Sequence, residues 1–162
     1  MDKCKLCKIE EGKTQRILKK TESFYLTPSI GHLTKGYLII CSREHFTGIG
    51  HLDKKRMDEL EKVKNKIRGA LEKKYKKLIF FEHGPINKYK KGGCCLNHLH
   101  LHAIPLGQDI LNLVSSQFEV RKIRDIYELK KQVERGKEYI FYENQAKEKF
   151  IFELDGPIPS QY

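Results

Sequence analysis

Short apolar runs bounded by turn residues punctuate the chain, and one long stretch steps its apolar residues by three and four. Phe24-Tyr25-Leu26 predicts a short strand that Thr27-Pro28-Ser29 ends, and Gly36 to Cys41 predicts a buried strand, with residues 31–35 as the loop between them. From Asp53 to Tyr75 the residues Met57, Leu60, Val63, Ile67, Ala70 and Leu71 form one stripe, which predicts a helix with Asp53 as its N-cap. Leu78 to Glu82 predicts another strand, turning at His83-Gly84-Pro85 into a basic, glycine-ended loop over 87–93. Further on, Ile126, Leu129 and Val133 predict a helix over 125–133 with Gly136 placed to stop it. Tyr139 to Tyr142 and Phe150 to Leu154 predict a hairpin around 143–149.

The stretch Asn97 to Pro105 carries the candidate chemistry. It alternates histidine with apolar residues, so an extended strand turns His98, His100 and His102 to one face and Leu99, Leu101 and Ala103 to the other. At a rise of roughly 3.3 Å per residue, His98 and His102 lie about 13 Å apart. Zn–N bonds are about 2 Å long, so one metal shared by all three is reachable only at full stretch. A division of labour among the three rings is the expected outcome.

The 162 residues suffice for a hydrophobic core and suggest a single domain, with a core over about 1–106 and an extension over 107–162. Mean hydropathy is −0.60, and no apolar run approaches the roughly 20 residues of a membrane helix. The N-terminal MDKCKLCKIEEG lacks the apolar stretch of a signal peptide, and five cysteines, an odd number, have no secreted disulfide spacing. A cytoplasmic location is expected. The net charge is +11, and residues 53–77 hold 11 Lys/Arg against 5 Asp/Glu. That excess favours polyanionic partners but equally fits a solvated, lysine-rich face.

Cys4 and Cys7 have the C-x-x-C spacing that grips zinc, and zinc needs two further ligands to close a tetrahedron. A redox pair is disfavoured because no strand precedes it. His45, directly after the second predicted strand, is a ligand candidate among other readings. The helix-flanking His51 reads as structural.

Taken together, these pieces resemble a known superfamily. His98-Leu99-His100-Leu101-His102-Ala103-Ile104 is similar to the His-x-His-x-His-x-x signature of the histidine triad (HIT) superfamily. Gly36 to His45 resembles its strand ending in Pro-Lys-x-His, with Cys41 in place of the usual proline, and Phe81-Glu82-His83-Gly84 resembles the segment before the triad. The Cys4/Cys7 pair resembles the zinc-bearing branch that includes galactose-1-phosphate uridylyltransferase. The resemblance implies an α+β fold, an antiparallel meander of about five strands packed with a long helix. The C-terminal helix and hairpin would extend it. It also implies a structural zinc on Cys4, Cys7, His45 and His98.

The implied activity is nucleotide hydrolysis of a phosphate ester, anhydride or phosphoramidate through a nucleotidyl-His100 intermediate. His102 would donate a hydrogen bond to the phosphoryl oxygens or leaving group. Lys91, with Lys90 beside it, and the backbone near Gly93 would offset the anionic charge. Glu82 and Cys95 stand near positions that relatives fill with an amide and with Ser or Thr, and they complete the expected substrate contacts. Tyr37 stands where some relatives have a further histidine. A nucleotidyltransferase or dinucleoside polyphosphate phosphorylase shares the intermediate, so the substrate is a nucleotide or dinucleoside polyphosphate. A basic nucleic-acid-binding protein without catalysis is a less favoured reading, and a homodimer is implied only because many relatives form one.

Overall fold

A computed structural model describes residues 4–12, 16–29, 31, 33–85, 96–115 and 118–154. Helix α1 (Lys5–Glu10) is followed by strands β1 (Lys19–Lys20), β2 (Phe24–Pro28) and β3 (Leu38–Ser42). Then come helix α2 (Lys54–Leu71) and strands β4 (Leu78–Gly84) and β5 (His100–Pro105). The rest is α3 (Leu111–Ser115), β6 (Val120–Ile123), α4 (Leu129–Glu134), β7 (Tyr139–Glu143) and β8 (Lys149–Glu153). The architecture is α+β, an antiparallel sheet with helices packed on it, as expected.

The sheet has eight strands in the order β1-β2-β3-β5-β4-β7-β8-β6. The expected antiparallel sheet is present in its first five strands, with β5 lying between β3 and β4. The C-terminal hairpin is also present, but it does not stand apart: β7 pairs with β4 from Phe80↔Glu143 to Gly84↔Tyr139 and continues the same sheet. Strand β6, unforeseen from the sequence, closes the far edge against β8. Among the described residues no helix is long and apolar enough to cross a membrane.

Helix α2 covers one face of the sheet. Its N-cap is Asp53, whose Oδ1 accepts from the Arg56 N–H at 2.8 Å. Met57, Leu60 and Ile67 pack on Ile40, Leu78, Phe80, Leu101 and Phe141. A side chain of this size contributes roughly 1.5–3 kcal/mol when buried. The stripe differs from the expected one: Ala70 is exposed, and Lys64 and Arg68 are buried in its place. Glu143 at the end of β7 is the cause, since it accepts from Lys64 Nζ at 2.5 Å and from Arg68 Nη2 at 2.7 Å. Ile79, Ile104, Tyr142 and Phe152 pack on the other face, with Leu111 and Val114 of α3 against them.

Strand β4 also differs, running on through His83 and Gly84, where a turn was expected. A Cβ at Gly84 would meet Tyr139 Cζ at 2.1 Å, so only glycine lets β7 pair there.

Candidate active site and metal centre

Helix α1 brings the two N-terminal thiols to the end of β5. Cys4 is its N-cap and Cys7 lies three residues on, so one helical turn sets both side chains on one side. Three contacts dock this short helix. Leu6 is buried beside Tyr25 and Cys41, and the Tyr25 hydroxyl donates to the Leu6 carbonyl at 2.9 Å. Glu10 pairs with Arg43 at 2.8 Å.

Cys4, Cys7, His45 and His98 then lie together, their ligand atoms all within 4.8 Å of one another. Nδ1 of His98 is 3.5 Å from both thiol sulfurs, and Nδ1 of His45 is 3.3 Å from Cys7 Sγ. Ligands around a tetrahedral zinc lie about 3.5 Å apart, given bonds of 2.0–2.3 Å. The donor set also has the right protonation chemistry. His98 Nε2 is 2.8 Å from the Ser42 carbonyl, which only accepts, so Nε2 carries the proton and Nδ1 keeps its lone pair toward the sulfurs. Burial, reinforced by Cys4 beside it, pushes the Cys7 thiol up to about 11. A cation among these atoms would displace that proton. The residues therefore fit a zinc ion.

His100 and His102 occupy the neighbouring stretch of β5. Leu99, Leu101 and Ala103 between and beside them are fully buried toward α2, as the alternation requires. His100 lies opposite Cys41 of β3, and His102 lies between Ile39 of β3 and Phe81 of β4. Nδ1 of His100 is 2.6 Å from the carbonyl of His98. That oxygen can only accept, so Nδ1 carries the proton and Nε2 holds the free lone pair.

His102 stacks on Phe81 with ring centroids 4.3 Å apart and planes at 12°. Its Nδ1 lies 2.5 Å from the Tyr37 hydroxyl. Burial first, and the neighbouring His100 second, push this imidazole down to about 3. It is neutral at physiological pH. The rings of His100 and His102 meet edge to face at 5.0 Å. The three histidines are thus divided, His98 among the thiols and the other two exposing paired rings.

Glu82 requires a correction. Expected at the substrate pocket, it is fully buried on the opposite face of β4 from Phe81. Its Oε1 accepts from the Ile49 N–H at 2.9 Å, and its Oε2 accepts from the Tyr139 hydroxyl at 3.2 Å. Strand alternation alone separates it from the histidine face. Lys90, Lys91, Gly93 and Cys95 lie outside the described residues. Tyr37, Phe81 and the Ser42 carbonyl were not among the expected site residues. Parity offered a signal for Tyr37, since it shares a strand face with Ile39 and Cys41. The pairing of β3 with β5 that makes this useful is not visible in either strand by itself.

A sequence-family model described as "Protein similar to CwfJ C-terminal" matches residues 1–119. No curated protein matches the chain. Among solved structures, a HIT family protein from Bacillus anthracis superposes with a TM-score of 0.55 at 24% identity, covering 67% of this chain and 76% of that one. A member of the HIT family from Bacillus subtilis gives 0.51 at 22% identity, covering 71% and 94%. A HIT family hydrolase from Clostridium thermocellum gives 0.50 at 21% identity, covering 68% and 99%. At these identities the likeness shows a shared fold.

Proposed function

The chain belongs to the family of proteins similar to the CwfJ C-terminal region, and from that premise we propose that it is a nucleotide hydrolase of the histidine triad type. The observation that carries this reading is the 2.6 Å contact between His100 Nδ1 and the His98 carbonyl. It holds Nδ1–H on that carbonyl and leaves Nε2 available for attack. The α+β fold shared with HIT family structures supports it.

In the proposed reaction His100 Nε2 attacks the phosphorus that bears the nucleoside. The P–N bond forms, the P–O or P–N bond to the leaving group breaks, and its electron pair leaves with that group. Water then attacks the same phosphorus. The P–N bond to His100 breaks, its pair returns to Nε2, and the proton of water passes to solvent. His102, uncharged and held against Phe81, contributes a hydrogen bond at the phosphoryl oxygens or leaving group. Lys91, Gly93 and Cys95 complete the proposed substrate contacts. A nucleotidyltransferase or phosphorylase would differ only in the second acceptor.

Cys4, Cys7, His45 and His98 would hold zinc, as in the zinc-bearing branch with galactose-1-phosphate uridylyltransferase. With four protein ligands the ion is structural and supplies no open position for water. It would fasten α1 to the His98 end of β5, upstream of the backbone carbonyl that orients His100.

The test is incubation with a labelled dinucleoside polyphosphate or nucleoside phosphoramidate, followed by trapping of an acid-labile adduct. Adduct on the wild type, and a fall in turnover of at least about 10³-fold in His100→Ala, is the expected result. No adduct together with unchanged turnover in His100→Ala rejects the reading.

A further inference from the structure

His100 and His102 need opposite protonation at the nitrogen that meets substrate. For His100 the His98 carbonyl settles the matter. Among the described residues no carbonyl does this for His102; its Nδ1 partner is a hydroxyl, which is able to donate or accept. The direction of that one hydrogen bond decides what His102 can do.

Two observations fix the direction. Tyr37 is 8% exposed, and burial raises its phenol above the ordinary value, so the hydroxyl keeps its proton. The phenol proton therefore needs an acceptor, and among the described residues His102 Nδ1 lies at 2.5 Å. A neutral imidazole has one N–H, and if Nδ1 accepts, that N–H is on Nε2. The ring has little freedom to escape this state, with Phe81 stacked on one face and Tyr37 tilted against it at 5.7 Å.

We propose that Tyr37 is a positioning residue that fixes His102 as its Nε2–H tautomer, by donating its buried hydroxyl proton to His102 Nδ1. The consequence is a complementary pair. His100 offers a bare Nε2 and His102, 5.0 Å away ring to ring, offers a protonated one. A lone pair beside a neutral donor matches a phosphoryl centre, where one group attacks phosphorus and the other holds an oxygen. With the other tautomer two lone pairs would face the anionic phosphoryl oxygens. The kinetic consequence rests on the proposed hydrolase reading; the tautomer itself does not.

The experiment is a long-range ¹⁵N–¹H correlation of the histidine rings in ¹⁵N-labelled full-length protein, wild type and Tyr37→Phe, at neutral pH. In the wild type His102 is expected to be a single Nε2–H tautomer and His100 a single Nδ1–H tautomer. In Tyr37→Phe, His102 is expected to become a mixture of tautomers while His100 is unchanged. With a nucleoside phosphoramidate substrate, kcat should fall roughly 10- to 100-fold with KM altered far less. A wild-type His102 protonated on Nδ1, or an unaltered His102 spectrum in Tyr37→Phe, overturns the proposal. The wild-type spectrum decides by itself if Tyr37→Phe fails to fold. Should the spectra come out as expected while His100→Ala leaves turnover intact, the tautomer assignment stands and the hydrolase reading falls.

Discussion

Two polar clusters are built into this fold, and they balance their charge in different ways. Under α2, Glu143 meets Lys64 and Arg68 with all three nearly or fully buried, and Lys149 adds a longer contact at 3.6 Å. Burial alone would raise the Glu143 carboxyl, but Lys64, Lys149 and Arg68 hold it below the ordinary value. The cations also lie over aromatic rings, Lys64 over Phe80 and Phe141 and Arg68 over Phe80, at 5.0–5.4 Å. This cluster is complete within the chain. At the other end of the sheet, Cys4, Cys7, His45 and His98 present lone pairs and thiols to one another. That cluster contains only donors to a cation and no cation of its own. Its stability depends on what binds it, whereas the first cluster is satisfied by the fold alone.

The largest effect expected from breaking this comparison is at the second cluster. Cys4→Ala, or a strong chelator, should lower stability by on the order of 5 kcal/mol, since structural zinc energy is folding energy. Elemental analysis of protein purified without chelator should find one zinc per chain. Equal thermal midpoints with and without chelator, and no zinc, would make the two clusters equivalent after all.

Glu143→Ala comes next. Lys64 keeps Glu61 at 2.8 Å and Arg68 keeps Glu72 at 3.0 Å, so urea unfolding should register a loss of roughly 1.5–3 kcal/mol. Replacing Lys64, Arg68 and Glu143 together with apolar residues of similar size should cost far less than the single change. If the triple variant is the weaker, the cluster contributes net stability and not only pairing.

Acid sharpens the contrast further. Glu143 has a depressed carboxyl, so its contribution is present above about 4.5 and lost as pH falls through its lower folded value. His102 is also depressed, to about 3 from 6.5, so the unfolded chain binds its proton first. Its share of stability is lost earlier, as pH falls from 6.5 toward 3. Unfolding free energy against pH should therefore decline in two stages, and Glu143→Gln should flatten only the lower one.

Tyr139→Phe sets the bottom of the scale. It removes a neutral hydroxyl that donates to Glu82 and accepts from the Gly50 N–H at 3.0 Å. A loss of about 1–2 kcal/mol in the same assay is expected. A larger loss would mean that Glu82, deprived of one of its donors, is as dependent on its partners as Glu143.

The comparison with the sequence reading follows the same division between local and distant partners. The alternation at 97–105 and the step of three and four through α2 are local signals, and the structure keeps the first entirely and the second apart from Ala70. Asp53 caps α2 with its own side chain, three residues from its partner, and was legible for the same reason. The place of Lys64 and Arg68 was not legible. Inside a helix stripe two cations read as solvent-facing; Glu143, 79 and 75 residues away, joins the local Glu61 and Glu72 in pairing them. Glu82 was misjudged likewise, because its donors come from Ile49 and Tyr139.

The sequence by itself determined which residues of β5 face the core and which turn to the other side of the sheet, because side-chain parity in a strand follows from backbone geometry alone. It also gave the C-x-x-C spacing of Cys4 and Cys7, while the helical turn that sets them on one side came from the structure. Tertiary structure decided the rest: that β7 joins β4 and carries Glu143 beneath α2, that α1 docks its thiols against His98, and that Tyr37 meets His102. Each of these contacts joins segments dozens of residues apart, and no local pattern encodes which strand pairs with which. That choice is made by burying both faces of the sheet at once.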